Sequence, residues 1–213
     1  MAVQDTLPDP NNTITDSGSD TGGGTAGPGF KSVQVSSVQP IMRDRTNSGR
    51  IISRSHAYHK WEISLAYNPL TKQEFDPVYN FLLHKRGTLK PFFVSLPQYR
   101  AQGPTSRIAG GNRAAGSTFM TNSGSSGTAI KPGMLFTIQD SADSSHTKAY
   151  MVTQVNSNVL TVSPGMAKAV TAGATLNFAD PKIKVIQTSD TRQYSLNVNN
   201  LYSFSLKLEE VSQ

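Results

Sequence analysis

The 213-residue chain contains no cysteine. That excludes a disulfide framework, a thiolate metal site and a cysteine nucleophile. Charged side chains make up only 16% of the residues, with 14 acids, too few and too dispersed for a convincing pair of catalytic carboxylates. No apolar run approaches the ~20 residues that a membrane-spanning helix requires. The first residues, Met1-Ala2-Val3-Gln4-Asp5, offer no basic stretch followed by an apolar core, so no secretory signal is expected. What the chain has instead is 17 Gly and 12 Pro among many Ser, Thr and Asn. That composition favours short strands joined by turns.

The net charge of +6 conceals an asymmetry. Residues 1–29 hold four acids, Asp5, Asp9, Asp16 and Asp20, and neither Lys nor Arg. The rest of the chain therefore carries 20 basic and 10 acidic side chains. The basic residues are spread over a strand, loops and a helix end rather than gathered in one dense run. A solvated surface, or an interface with acidic neighbours, explains this better than a nucleic-acid groove. The first 29 residues are of low complexity, with Gly22-Gly23-Gly24 in their second half. Such a segment buries too little to offset its ordering entropy and is expected to be disordered in isolation.

From Phe30 the pattern becomes strand-like, followed by a turn rich in arginine, Arg43-Asp44-Arg45-Thr46-Asn47-Ser48-Gly49-Arg50. Residues 51–67 read as a hairpin with the first strand alongside. Its second half puts Trp61, Ile63, Leu65 and Tyr67 on one face, the alternation of a half-buried strand. Thr71-Lys72-Gln73-Glu74 is a capping-box pattern, and Phe75, Val78, Tyr79, Leu82 and Leu83 follow at helical spacing. Asp76-Pro77 implies either a kink or a start at Asp76. His84, Lys85 and Arg86 complement the dipole at the helix end, and Gly87 is a natural residue just beyond it. Phe92, Val94 and Leu96 mark another strand.

After a linker-like crossing at 101–116 come short strands, expected around Phe119 and at 134–139, 149–155, 159–163, 175–178 and 182–187. Lys131-Pro132-Gly133, Asn156-Ser157-Asn158 and Ser163-Pro164-Gly165 supply the turns. This is the size of a small β-barrel of OB or SH3-like type. Alternation then returns in Tyr202, Phe204, Leu206 and Leu208, opposite Ser203, Ser205 and Lys207. The reading is a mainly β chain with one principal helix (α+β), an antiparallel sandwich-like domain interrupted by an OB-like barrel. The acidic pair Glu209-Glu210 reads as a solvated strand end.

Reactive chemistry is not evident. His56-x-x-His59 places two imidazoles on opposite faces of an extended strand, which is awkward for joint metal ligation. Asp140, Asp143 and His146 fall within a turn, and nothing resembles the serine nucleophile turn or a phosphate-binding glycine loop. No catalytic, cofactor-binding or metal residue is assigned, and no cofactor is expected. In the barrel, Phe119, Phe136, Tyr150 and Phe178 are read as packing residues rather than as a base-stacking platform. The interaction residues singled out are Arg43, Arg45, Arg50 and Arg54, with Asp16 and Asp20 of the acidic arm as complementary charges.

Several diffuse features together resemble the distal tail proteins of long-tailed siphophages, the T5-type family above all. They are Gly29-Phe30-Lys31-Ser32-Val33, Pro40-Ile41-Met42-Arg43-Asp44, the strand at 61–67, Leu82-Leu83-His84-Lys85-Arg86, Leu96-Pro97-Gln98-Tyr99 and the closing strand at 202–210. A lambda-type minor tail protein shares the strand–helix–strand order more distantly. The resemblance implies a low-complexity arm at 1–29, a discontinuous ring-forming domain at 30–104 and 191–213, and an inserted OB-like barrel at 105–190. It further implies a virion protein at the distal end of a tail, assembled in the host cytoplasm and forming a ring, usually hexameric. The implied partners are other copies of the chain, the tail tube protein, the tail hub or tip protein, and fibre or collar proteins, without membrane or direct nucleic-acid contact. The alternative is a monomeric carbohydrate- or nucleic-acid-binding module that uses the barrel.

Overall fold

The computed structural model describes residues 5–8, 13–14, 20–21, 29–55, 58–100, 103–104, 107–123 and 129–211. Along the chain run β1 (Thr13–Ile14), β2 (Asp20–Thr21), β3 (Phe30–Val38), β4 (Ile41–Arg45), β5 (Ile51–Ser55) and β6 (Lys60–Tyr67). Helix α1 (Lys72–Lys85) and β7 (Phe92–Ser95) follow. Next come β8 (Arg107–Ala109), β9 (Phe119–Ser123), β10 (Leu135–Gln139), β11 (Ala149–Asn156), β12 (Val159–Ser163) and β13 (Thr175–Asn177). The chain finishes with β14 (Lys182–Gln187), β15 (Ser195–Leu196), β16 (Tyr202–Ser203) and β17 (Ser205–Glu210). The molecule is mainly β, with one principal helix and one closed barrel.

A five-stranded antiparallel sheet takes the order β3-β6-β17-β14-β7. In β6 burial alternates along the strand, with Trp61, Ile63, Leu65 and Tyr67 inside. Leu206 and Leu208 of β17 pair with Leu65 and Ile63, so the two strands bury the same face. Phe75, Val78, Phe81 and Leu82 of α1 complete this core with Phe92, Val94, Ile183 and Val185. Tyr202 and Phe204 are half-buried at its margin, whereas Leu83 is 45% exposed. At helical spacing Leu83 follows Leu82 by 100°, which carries it off the packed stripe.

The helix begins where the capping box puts it. The Thr71 backbone N–H donates to Glu74 Oε2 at 2.8 Å, and Pro77 lies inside the helix rather than at its start. Arg86 adopts the left-handed conformation at the helix end (φ 53°), and Gly87 does so after it (φ 65°). A Cβ on Gly87 would lie 2.5 Å from Asp190 Oδ1, so this turn requires glycine on steric grounds as well.

The barrel closes in the order β10-β11-β12-β9-β8-β13, with β13 returning to β10. Its interior holds Met120, Phe136, Tyr150, Leu160, Leu176 and Phe178, all essentially inaccessible. Phe136 and Phe178 stack with ring centroids 4.8 Å apart.

Three strand pairings depart from the sequence reading. The strand at 182–187, expected inside the barrel, is β14 and lies between β17 and β7 of the large sheet. Alternation of Ile183, Val185 and Gln187 reports a buried face but not which sheet supplies it. Residues 51–55 pair with β4 rather than with the strand of Trp61. Finally, Asp5–Pro8 run along β7. Leu7 N–H donates to Phe93 O (2.8 Å), Phe93 N–H donates to Asp5 O (2.7 Å), and Leu7 is 3% exposed within the core. The start of the low-complexity arm thus contributes a core residue, the apolar Leu7.

Candidate assembly interface

The arginines picked out in the sequence sit on the ribbon formed by β4 and β5. Register pairs Ile41, Arg43 and Arg45 with Ser55, Ser53 and Ile51, and Met42 and Asp44 with Arg54 and Ile52. Residues paired across a ladder share a face, so Arg43 and Arg45 project from one side and Arg54 from the other. Arg50 closes the turn, where its backbone N–H donates to Thr46 Oγ1 (3.1 Å) and Thr46 N–H donates to Arg50 O (2.9 Å). Gly49 supplies the positive φ (82°) that the turn needs.

Every described residue of 41–45 and 50–54 is exposed. Ile41, Met42, Ile51 and Ile52 are each more than half accessible. Among the described residues the ribbon pairs with no strand of the large sheet. It leaves β3 through Gln39 and Pro40, and β3 is itself the terminal strand of that sheet. Open edges and exposed apolar side chains are therefore contiguous. Such a feature can pair with another backbone through its edge and bury its side chains at the same time.

Of the complementary acids, Asp20 lies in β2, and Asp16 lies outside the described residues. Asp5, not singled out from the sequence, engages its own chain. Its Oδ1 accepts from Lys85 Nζ at 2.9 Å, and the Lys85 side chain is 4% exposed. Lys85, read as a helix-end surface cation, also lies 5.2 Å over the Phe81 ring.

The contact between the barrel and the large sheet centres on a buried ion pair. Lys148 precedes β11, and Glu210 ends β17. Their side chains are 3% and 0% exposed and in direct contact. Lys148 Nζ also donates to His59 O (2.6 Å), while Glu210 Oε1 accepts from Ala149 N (2.9 Å) and Oε2 from Trp61 N (3.2 Å). Trp61 Nε1 completes the set by donating to Ala149 O at 3.0 Å. Burial pushes the Glu210 carboxyl up and the Lys148 ammonium down, and each opposes the other's shift through its charge. Three N–H donors converging on one carboxylate favour its ionised form. Glu210 is therefore not a solvated strand end but the connection between two cores. Strand alternation carries the signal, since Leu206, Leu208 and Glu210 share one face.

The histidines have structural surroundings. His56 lies outside the described residues, and His84 is exposed. His59 is 6% exposed, with Nε2 2.9 Å from Ser37 Oγ and its ring edge-on to Trp61. Burial and the nearby Lys148 lower its pKa to about 4. His146 Nε2 lies 2.7 Å from the Tyr150 hydroxyl, which accepts from Ala167 N. Asp140 accepts from Ala142 N and Thr171 N, tying together two loops of the barrel.

Comparison with known proteins bears on this arrangement. Residues 7–99 match the model for the N-terminal part of the A domain of distal tail protein pb9. The distal tail protein pb9 of Escherichia phage T5 is 28% identical over 194 residues, covering 86% of this chain and 93% of the relative. The matched segment starts at Leu7, the first buried apolar residue among the described residues, and runs through β3, the ribbon, β6, α1 and β7.

Proposed function

We propose that this chain, related to the T5-type distal tail protein and a virion component at the end of a phage tail, is a ring-building structural subunit rather than an enzyme. Copies close into a ring, hexameric as the resemblance implies, between the tail tube and the hub that leads to the host-recognition apparatus. In this reading residues 30–104 and 191–213, joined by β14, form the ring-building body. The barrel strands of 107–177 form the inserted module.

The observation that carries the proposal is the uncovered ribbon. An isolated two-stranded hairpin is marginally stable in water, and this one leaves four large apolar residues exposed. In a heterologous contact each subunit offers its ribbon to one neighbour, and the rotation repeats until the ring closes. Arginines 43, 45, 50 and 54 then meet acids of the adjoining arm, including Asp16 and Asp20. Each exposed pair contributes only about 0.2–1 kcal/mol, but repetition around a ring sums the bias. The binding-module alternative draws less support, because Phe136, Tyr150 and Phe178 are fully buried in the barrel and Phe119 alone of the four aromatics is exposed.

Light scattering on the purified chain, followed by negative-stain imaging with and without tube protein, tests this reading. Rings or concentration-dependent self-association are expected, weaker at high salt and weaker when Ile41 and Ile51 are both replaced by Ser. A chain that stays monomeric at every concentration, and fails to cap tubes, would overturn it.

A further inference from the structure

Residues 5–8 bind the outer edge of β7 much as a separate peptide would. No turn joins the two, because β3, the β4–β5 ribbon, β6 and α1 all intervene along the chain. Thr6 forms a parallel bridge with Phe93, whose backbone N–H and carbonyl are both taken by the segment. Leu7 enters the core that also holds Phe92 and Val94. Asp5 meets Lys85, whose side chain is 4% exposed with the segment in place. Arg86 and Lys90, exposed on the loop from α1 to β7, add positive charge beside it. Backbone pairing at a sheet edge supplies affinity, and side-chain pockets supply selectivity. This edge therefore selects an extended segment with a leucine two residues after an acid. Vacating it would strand a buried ammonium and uncover apolar surface, so the edge is built to be occupied.

The topology bears on which copy supplies the segment. The chain enters the large sheet at Phe30 of β3, the edge opposite β7. Five strand spacings lie between β3 and a segment outside β7, about 24 Å. Phe30 stands level with Tyr67 of β6, whereas Phe92, through Val185 and Glu210, stands level with Trp61. That offset adds about 20 Å along the strands, so the diagonal is about 30 Å. Residues 9–28 have to cover it. A Gly- and Ser-rich sequence of this length has an r.m.s. span of about 25 Å, and the pairing of Thr13 with Thr21 shortens it further. Docking on its own β7 thus draws the arm across the whole sheet. In a head-to-tail ring the β3 edge of one copy lies toward the opposite flank of the next, where that copy's β7 edge is. The same contacts are then reached over a shorter span. Exchange of an identical element between copies keeps every contact and changes only the connection.

We propose that residues 5–8 of each assembled copy occupy the β7 edge of the adjoining copy, with Leu7 in that copy's core and Asp5 on its Lys85. This rests on the ring reading and adds to it the element that ties neighbours together. The Asp5–Lys85 contact of 2.9 Å gives a test in the unaltered chain. A carbodiimide couples a carboxylate directly to an amine, and the Asp5 side chain is 74% exposed to the reagent. Unlabelled and heavy-isotope chains are mixed dilute at high salt, then concentrated at low salt until rings form. Native mass spectrometry verifies that the rings hold both isotopes before coupling and proteolysis. Peptides joined through Asp5 and Lys85 should be mixed-isotope as often as same-isotope, and the cross-link should vanish in Asp5→Asn. Rings of both isotopes whose Asp5–Lys85 cross-links are all same-isotope would overturn the exchange and leave the ring reading standing. Rings without this cross-link in any isotope pattern would do the same. Mixed-isotope pairs in open oligomers would support the exchange while removing ring closure. Chains that stay monomeric at every concentration would remove both.

Discussion

Replacing Glu210 by Gln probes the contact between sheet and barrel with little change in shape. The variant keeps an acceptor for Ala149 N or Trp61 N but leaves Lys148, whose side chain is 3% exposed, without its counter-charge. Breaking a buried pair in this way costs about 3–5 kcal/mol, most of it the penalty on the stranded charge. For a chain of this size 1 kcal/mol moves Tm by about 2–4 °C, so Glu210→Gln should lower Tm by about 6–20 °C. Removing the stranded charge as well, in Lys148→Met/Glu210→Gln, should restore at least half of the loss. That recovery gives a favourable coupling in the double-mutant cycle. Urea unfolding followed by tryptophan fluorescence suits the measurement, because Trp61 is the sole tryptophan and its indole N–H is bonded to Ala149 O at this junction. A loss below about 1 kcal/mol in the single variant would refute the reasoning, as would a double variant no more stable than the single one.

Leu7→Ala should cost about 2–5 kcal/mol, as for other buried leucines, and Asp5→Asn should destabilise further by leaving Lys85 unpaired. Chemical denaturation of the two variants checks both, and unchanged stability on deleting residues 1–8 would contradict the placement of Leu7 in the core. Leu65→Ala in β6 should likewise cost about 2–5 kcal/mol, whereas Leu83→Ala, on the exposed side of α1, should stay within about 0.5 kcal/mol. His59 has a folded pKa of about 4 against its ordinary 6.5. Its neutral form is the one that the fold favours, so its contribution is complete above pH 6.5 and is lost as the pH falls toward 4. The stability difference between the wild-type chain and His59→Asn should shrink over that interval, with a slope of at most about 1.4 kcal/mol per pH unit. A difference independent of pH would exclude His59 as the source.

Much of the local structure follows from short-range pattern alone. The alternation of Trp61, Ile63, Leu65 and Tyr67 determines both strand and buried face, because side chains on an extended backbone must alternate. Thr71 and Glu74 determine where α1 begins, since the reciprocal cap satisfies backbone donors within four residues. The arginine-rich turn was legible in the same way, and so was the overall division into a mainly β chain with one helix.

Pairing partners were not. Ile183, Val185 and Gln187 alternate equally well for a barrel or a sheet, and only the assembled topology puts them between β17 and β7. The same holds for residues 51–55, whose partner is the adjacent β4. Burial of polar groups was harder still. Glu210 and Lys148 are 62 residues apart, and each taken alone reads as solvent-exposed, because an isolated charge is costly to bury. Their burial becomes favourable when both meet with their hydrogen-bond partners, a condition set by three dimensions. Local sequence thus determined which faces are apolar and where elements start and stop, through interactions spanning a few residues. Tertiary structure decided which faces meet and which polar groups are left facing inward, because those depend on contacts between residues distant along the chain.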